Sequence, residues 1–298
     1  ICHPVLLGNP DRLRRMATRL KLDLTGIELI DMRADQEQGR RATYAKHLAE
    51  KRARDGYTFQ EAYDKMYERN YFGMMMVETG DADAFITGLY TKYSNTIKVA
   101  KEVIGIREEN STFGTMHIIN SPKGVLYLAD TLVNGDPNTD DLVDIAKLAS
   151  RTVKFFNETP NIALISYSNF GSDTAPGSLK VKNAVKRVQD EMPELCIDGE
   201  MQIGYALNRE LRDQKYPFSK LVGKDVNTLV FPNLTSARSA YKLLQMLSND
   251  VEIIGPIQMG LNKPIHFTDS ESSVRDIVNI TAIATIDAYV EKIKQGKK

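Results

Sequence analysis

The segment Ile162-Ala163-Leu164-Ile165-Ser166 is apolar through nearly its whole length, and the chain leaves it through Tyr167-Ser168-Asn169-Phe170-Gly171-Ser172. A short run without polar alternation suits a strand buried on both faces, the kind found in mostly parallel sheets covered by helices. Similar runs recur from Pro4 to Leu7, Gly73 to Val77, Thr115 to Ile119, Val125 to Leu128, Thr228 to Phe231 and Glu252 to Ile257. Longer stretches with helical periodicity separate them, so the chain is expected to be α/β.

Caps mark the helices. Asp11 precedes one through Leu20, Thr58 opens one through Tyr67, and Asp140-Asp141 introduce one from Leu142 to Phe156. The charge-rich stretch from Ala34 to Arg54 reads as a solvated or interface helix, with anion capture as the alternative. The turn formers Asn134-Gly135-Asp136-Pro137-Asn138-Thr139 predict a domain boundary. A second turn-rich segment, Gly255 to Pro264, leads to a strand remnant and a last helix, Val274 to Ile293, too small for a core of its own. The expected division is therefore a first lobe of 1–138 plus 260–298 and a second lobe of 139–259.

With 298 residues, 42% of them apolar, the chain can fill one large or two ordinary cores, which excludes a stapled mini-protein. Lys plus Arg number 39 and Asp plus Glu number 39, so no net field draws in nucleic acid or an anionic membrane, and neither is an expected partner. Cys2 and Cys196 lack metal-ligand spacing, which fits a reducing, cytoplasmic setting and argues against a metal site. No apolar run approaches the roughly 18 to 20 residues that cross a bilayer. The chain starts at Ile1 rather than Met, as a piece of something longer would.

Ligands of α/β sheets settle where strand carboxyl ends meet helix amino ends. The loop at 166–172 supplies hydroxyls, an amide and a glycine at such a place, although strand-to-helix loops favour these residues for turn geometry alone. Asp198-Gly199-Glu200 reads as a turn with acids in the first turn of a following helix. Pro232 closes the strand before it. Lys263-Pro264-Ile265-His266 leads into Phe267-Thr268-Asp269-Ser270 and a helix whose Asp276, Ile280 and Ile283 share one face. His266 is open to packing, capping or catalysis, and Asp276 taken alone is an ordinary helix-start acid.

Taken in order, Ser-Tyr-Ser-Asn-x-Gly-Ser at 166–172, Asp-Gly-Glu-Met-Gln at 198–202, Phe-Pro-Asn-Leu at 231–234, Gly-Pro-Ile-x-x-Gly-x-x-Lys-Pro at 255–264 and Asp-Ile-Val-Asn at 276–279 resemble the phosphate acetyl/butyryltransferase family. The stretch Asn70 to Ala84, Tyr216-Pro217-Phe218-Ser219 and Ser272-Ser273-Val274-Arg275 are similar to the phosphotransacetylase-like C-terminal domain of hybrid bacterial malic enzymes. The resemblance implies a two-lobed α/β/α sandwich of the isocitrate/isopropylmalate dehydrogenase type, with mostly parallel sheets and an acyl-CoA cleft between the lobes. It also implies a homo-oligomer, dimer or higher, no metal in this domain, and an attached NADP-dependent malic enzyme catalytic domain inhibited allosterically by acetyl-CoA. The acetyl-CoA ligands it implies are Ser166, Ser168, Asn169, Gly171, Lys263, Pro264, His266, Asp269, Ser270, Asp276 and Ile283.

Active members of that family move acetyl between the thiol of CoA and inorganic phosphate. An Asp takes the thiol proton, and Asp276 matches it. A Ser and an Arg stabilise developing charge and hold phosphate, and here these positions carry Asp269 and Ser270. A second family Arg corresponds to Lys98. Two unit charges about 5 Å apart at an effective dielectric near 20 interact by roughly 3 kcal/mol, so exchanging the guanidinium for a neighbouring carboxylate reverses a term that phosphate binding needs. The expected outcome is a retained acetyl-CoA ligand and a lost reaction. The alternative is a working phosphate acetyltransferase that uses Asp276 with a phosphate site rebuilt on Arg275 or Lys263. A hydroxyacid dehydrogenase has no support, since no strand is followed by GxGxxG or by paired metal-binding aspartates.

Overall fold

The computed structural model describes residues 1–88, 93–248, 250–268, 272–294 and 296. In chain order the elements are β1 (Val5–Leu7), α1 (Pro10–Leu20), β2 (Glu28–Ile30), α2 (Gln38–Lys51), α3 (Phe59–Lys65), α4 (Arg69–Thr79), β3 (Phe85–Gly88) and α5 (Tyr93–Val103). There follow β4 (Gly114–Ser121), β5 (Gly124–Ala129), α6 (Thr139–Phe155), β6 (Asn161–Ile165), α7 (Pro176–Glu191), β7 (Cys196–Met201), α8 (Ile203–Leu207) and α9 (Arg209–Lys215). The chain ends with β8 (Thr228–Val230), α10 (Leu234–Leu247), β9 (Glu252–Met259), β10 (Ile265–Thr268) and α11 (Val274–Lys294). The class is α/β with mostly parallel strand pairing.

Two compact units form, one from Ile1–Gly105 with Leu261–Lys298, the other from Ile106–Gly260. The turn cluster expected as a boundary lies inside the second unit instead. The reason is that β4 and β5, which precede it, are hydrogen-bonded to β9 and β8, which follow it.

In the first unit β1 pairs parallel with β2, and β3 pairs parallel with β10, from Phe85 opposite Ile265 to Gly88 opposite Thr268. The run Gly73 to Val77, expected as a strand, is helical and belongs to α4. Every residue from Asn70 to Val77 is buried, so no solvated face gives the segment a helical signature, and a short all-apolar run is ambiguous in sequence. Gly73 is needed there, because a Cβ at this position would overlap the Phe85 ring of β3. The charged stretch around α2 is only partly solvated. Arg41, Tyr44, Ala45 and Leu48 are buried, and the Arg41 guanidinium donates to the carbonyls of Met32 (2.6 Å) and Ala34 (2.8 Å) while lying 4.6 Å from the Tyr67 ring centroid.

The second unit is built on a six-stranded sheet in the order β7-β6-β8-β5-β4-β9. Only β4 runs antiparallel to its neighbours, β5 and β9. On β6, Ala163 and Ile165 join a core with Ala206 of α8 and with Ala237 and Tyr241 of α10. Ile162 and Leu164, of opposite parity, are equally buried, so both faces of the strand are covered. Asp198-Gly199-Glu200, expected as a turn leading into a helix, lies within β7. Ile197 and Met201 alternate there with Asp198 and Glu200, and the acids stay buried because groups distant in sequence satisfy them. The helix expected from Leu142 starts earlier, at Thr139, because Asn138 caps it in a reciprocal box: the Asn138 side chain accepts the Asp141 N–H and the Asp141 carboxylate accepts the Asn138 N–H, each at 3.0 Å.

Candidate functional site

Where β6 ends, the Ser166 N–H donates to the Met201 carbonyl at 2.9 Å and the chain turns away from the sheet. The Ser168 hydroxyl lies 3.1 Å from that of Ser166 and 2.6 Å from that of Ser178 in the first turn of α7. All three serines are buried. The α7 N-terminus has Ala175 at its cap and receives no side-chain cap, so these hydroxyls stand beside a helix end that favours negative charge.

The end of β7 pins this loop. Glu200 is fully buried, and its Oε1 accepts the Gly171 N–H at 2.5 Å and lies 3.4 Å from the Ser168 hydroxyl. Its Oε2 has no hydrogen-bond partner among the described residues. The Glu200 carbonyl accepts the Phe170 N–H at 2.8 Å. Gln202 completes the clamp by donating its N–H to Asn169 Oδ1 (2.9 Å) and its side-chain amide to the Tyr167 carbonyl (2.7 Å). Gly171 takes φ +86°, a left-handed conformation glycine adopts without strain. The Tyr167 hydroxyl, then the Ala175 N–H, hold the Asp173 carboxyl below the usual carboxylate range.

Asp198, two residues before Glu200, ties a second loop to the same strand. Its Oδ2 accepts the Ser219 hydroxyl at 2.7 Å and the Lys220 N–H at 2.8 Å. The two loops then meet through aromatic rings, with Phe170 4.7 Å from Tyr216 and 5.1 Å from Phe218 by centroid. Asp-Gly-Glu is therefore a double clamp. Ser178, Glu200 and Asp198 are not foreseen as site builders by local reading. The available signal is the period-two alternation of acids with Ile197, Gly199 and Met201, which marks a strand rather than a turn.

The first unit holds the other expected residues, and most of them have structural partners. Asp276 forms a capping box with Ser273: its Oδ2 accepts the Ser273 N–H (2.7 Å) and hydroxyl (2.8 Å), while its own N–H donates to Ser273 Oγ at 3.2 Å. Pro264 is buried, and its carbonyl accepts the Phe85 N–H at 3.0 Å, setting the register of β10 against β3. His266 is buried in β10. Its Nε2 is 3.7 Å from Asp287 Oδ2 on α11, and neither ring nitrogen has a hydrogen-bond partner among the described residues. Ile283 is buried on α11, and Lys263 is half-buried. Asp269 and Ser270 lie outside the described residues.

Lys98, half of an ion pair with Glu102 at 3.6 Å, faces a pocket of about 420 Å³ whose lining includes Arg52, Tyr57, Ser94, Lys101 and Glu102. Tyr57 and Tyr71 both donate to Glu102 Oε2, Tyr57 at 2.7 Å. Burial would raise the Glu102 carboxyl, but the hydroxyls of Tyr71 and Tyr57 and the ammonium groups of Lys65 and Lys98 outweigh it and hold the group below the usual range. Burial, then the bond to Glu102, pushes the Tyr57 phenol up to about 12. This cluster is assembled from residues 31 and 45 positions apart and has no local sequence signature.

Among the described residues no group of acids, histidines and cysteines is placed to hold a metal ion, and no helix is long and apolar enough to cross a membrane. Residues 1–285 match the family model for phosphate acetyl/butaryl transferase. The NADP-dependent malic enzyme of Escherichia coli (strain K12) is 34% identical over 294 residues, covering 98% of this chain and 39% of that protein. The phosphate acetyltransferase of Corynebacterium glutamicum (strain ATCC 13032) is 31% identical over 288 residues, 97% of this chain and 86% of that protein. A solved phosphotransacetylase from Streptococcus pyogenes superposes with a TM-score of 0.84 at 30% identity, covering 96% of this chain and 86% of that one. This chain thus spans about two fifths of the length of the malic enzymes it matches. With the ordered motifs, the α/β fold and these relatives in agreement, the chain belongs to the phosphate acetyl/butaryl transferase family.

Proposed function

We propose that this chain is an acetyl-CoA-binding regulatory domain, the phosphotransacetylase-like part of a hybrid NADP-dependent malic enzyme, without transferase turnover of its own. The observation that carries the reading is the pair Asp269-Ser270, standing where the active family pattern has Ser-Arg. Phosphate loses its guanidinium fork and meets a carboxylate instead.

The ligand-holding part needs no such group. The hydroxyls of Ser166 and Ser168, the amide of Asn169 and the open α7 N-terminus supply donors and acceptors for a thioester carbonyl and for the amides and phosphates of CoA. Regulation then requires acetyl-CoA to bind two arrangements of the lobes or subunits unequally, typically by about 1–3 kcal/mol, with the attached catalytic domain and the homo-oligomer as the responding parts.

Calorimetric titration with acetyl-CoA, CoA and inorganic phosphate in parallel, beside an assay for phosphate-dependent CoA release, tests the proposal. Saturable acetyl-CoA binding with neither phosphate binding nor turnover is expected. A phosphate-saturable rate that collapses in Asp276→Asn overturns it in favour of a working transferase. The double variant Asp269→Ser/Ser270→Arg is expected to gain phosphate affinity by at least roughly a hundredfold, at about 3 kcal/mol for each of the two charges changed.

A further inference from the structure

Phe218 is 68% exposed, yet the loop that carries it is tied to a buried strand. Ser219 and Lys220, the next two residues, are bonded to the buried Asp198 carboxylate. The ring is braced edge-on by Phe170 (5.1 Å, 81°) and by Tyr216 (5.9 Å, 71°), and Tyr216 is braced in turn by Tyr205 (5.1 Å). Phe170 adopts φ +46° to reach this position, a conformation disfavoured for any residue with a side chain. A rigidly supported aromatic face left in water is a poor core element and a good stacking surface.

The chemistry beside the ring selects what stacks there. Gly171 follows Phe170 directly, and a Cβ built on it would stand 3.1 Å from the Lys182 ammonium, which reaches across from α7. The buried hydroxyls of Ser166, Ser168 and Ser178 lie on the same loop and helix end. A purely apolar partner has no use for an ammonium beside the residue that follows Phe170, whereas a planar base joined to a phosphate uses both the exposed ring and the cation.

We propose that Phe218 and Lys182 form a subsite for an adenosine phosphate, the nucleotide end of acetyl-CoA, with the base stacked on the Phe218 ring and a phosphate paired with the Lys182 ammonium. The proposal rests on the acetyl-CoA reading above and adds to it the residues that grip the nucleotide. Base-on-aromatic stacking has a value of about 1–3 kcal/mol, so removing the ring weakens acetyl-CoA about 5- to 150-fold and leaves acetylpantetheine, which lacks the nucleotide, unchanged.

The chain contains no tryptophan, so Phe218→Trp introduces a lone indole at the stacking position. Its emission is expected to be quenched saturably by acetyl-CoA and by adenosine 3',5'-bisphosphate, but not by acetylpantetheine. Calorimetry on Phe218→Ala should show the loss for acetyl-CoA alone, Phe218→Tyr should restore binding, and Lys182→Gln should weaken both nucleotide-bearing ligands. Equal acetyl-CoA affinity in wild type and Phe218→Ala, or an equal loss for acetylpantetheine, overturns the subsite. If adenosine bisphosphate quenches the indole while acetyl-CoA binds neither form, the subsite stands and the acetyl-CoA reading falls.

Discussion

The loop cluster at the ends of β6 and β7 and the β10–α11 region both contain residues that family membership would set against a ligand, but they are held in opposite ways. In the first, Glu200 reaches the Gly171 N–H from 29 residues away and Asp198 reaches the Ser219 hydroxyl from 21. In the second, Asp276 is satisfied by Ser273, three residues off, as any helix-start acid would be. Long-range clamps keep a surface in one shape, and a local cap keeps only its own helix end. On the reading proposed above, the first arrangement holds the ligand, while the second keeps Asp276 as a helix cap rather than a proton acceptor.

Asp198→Ala is the strongest attempt to break that contrast. It strips the Ser219 hydroxyl and the Lys220 N–H, along with the Gly199 N–H and the Gln189 amide on the other oxygen, of a charged acceptor inside a buried strand. At roughly 1.5–3 kcal/mol for each of the first two bonds to the charged group, a loss of at least about 3–5 kcal/mol is expected in urea unfolding. A loss below about 1 kcal/mol would mean that the clamp is incidental. Gly171→Ala should follow, costing about 1–2 kcal/mol because φ +86° is forced on a residue with a Cβ. The Lys182 ammonium can swing aside, so strain and not the clash sets the size of the effect. Acetyl-CoA affinity should fall with it, measured by calorimetry.

The difference between the two regions also explains what was legible in the sequence. The reciprocal cap at Thr58 was readable because its partner lies within one turn, whereas Asp140-Asp141, which sit inside the first turn of α6, drew the expected start past its true cap at Asn138. The loop at 166–172 was readable because it follows a run apolar on both faces. The helix at Asn70–Val77 was not, since burial on every side removes its polar stripe. Asp198-Gly199-Glu200 suggested a turn because acids are unfavourable in a buried strand until Ser219, Lys220 and Gly171 arrive from other loops, and nothing local announces them. The partners of Glu102 were hidden for the same reason.

Glu102 carries the contrast into the first unit and gives it a pH axis. Its carboxyl lies lower when folded than when unfolded, so its stabilising contribution is present above the ordinary carboxylate range and is lost as acid protonates the folded form. Tyr57 works in the other direction. Its phenol, pushed up to about 12, contributes stability that is intact below its ordinary value of 10.0 and lost between there and 12. Unfolding midpoints followed against pH in wild type and in Glu102→Gln should therefore converge at low pH. Curves that stay parallel through the carboxylate range would place the acid sensitivity elsewhere.

The smallest effect belongs to Asp276→Asn, and its smallness is the informative part. Asparagine keeps a side-chain oxygen for the Ser273 N–H but loses the charge that complements the α11 N-terminus, so about 0.3–1 kcal/mol of stability should go, as for other helix-start charges. Ser273→Ala should cost about 1 kcal/mol by removing the other half of the box. If Asp276 serves only as a cap, the two variants bind acetyl-CoA as wild type does, and the double variant loses less than the sum because both mutations break one shared interaction. A proton-accepting Asp276 would separate them instead, with Asp276→Asn abolishing thiol-dependent chemistry that Ser273→Ala leaves in place. The relative behaviour of two adjacent cap residues thus discriminates a helix start from a catalytic base without reference to the second unit at all.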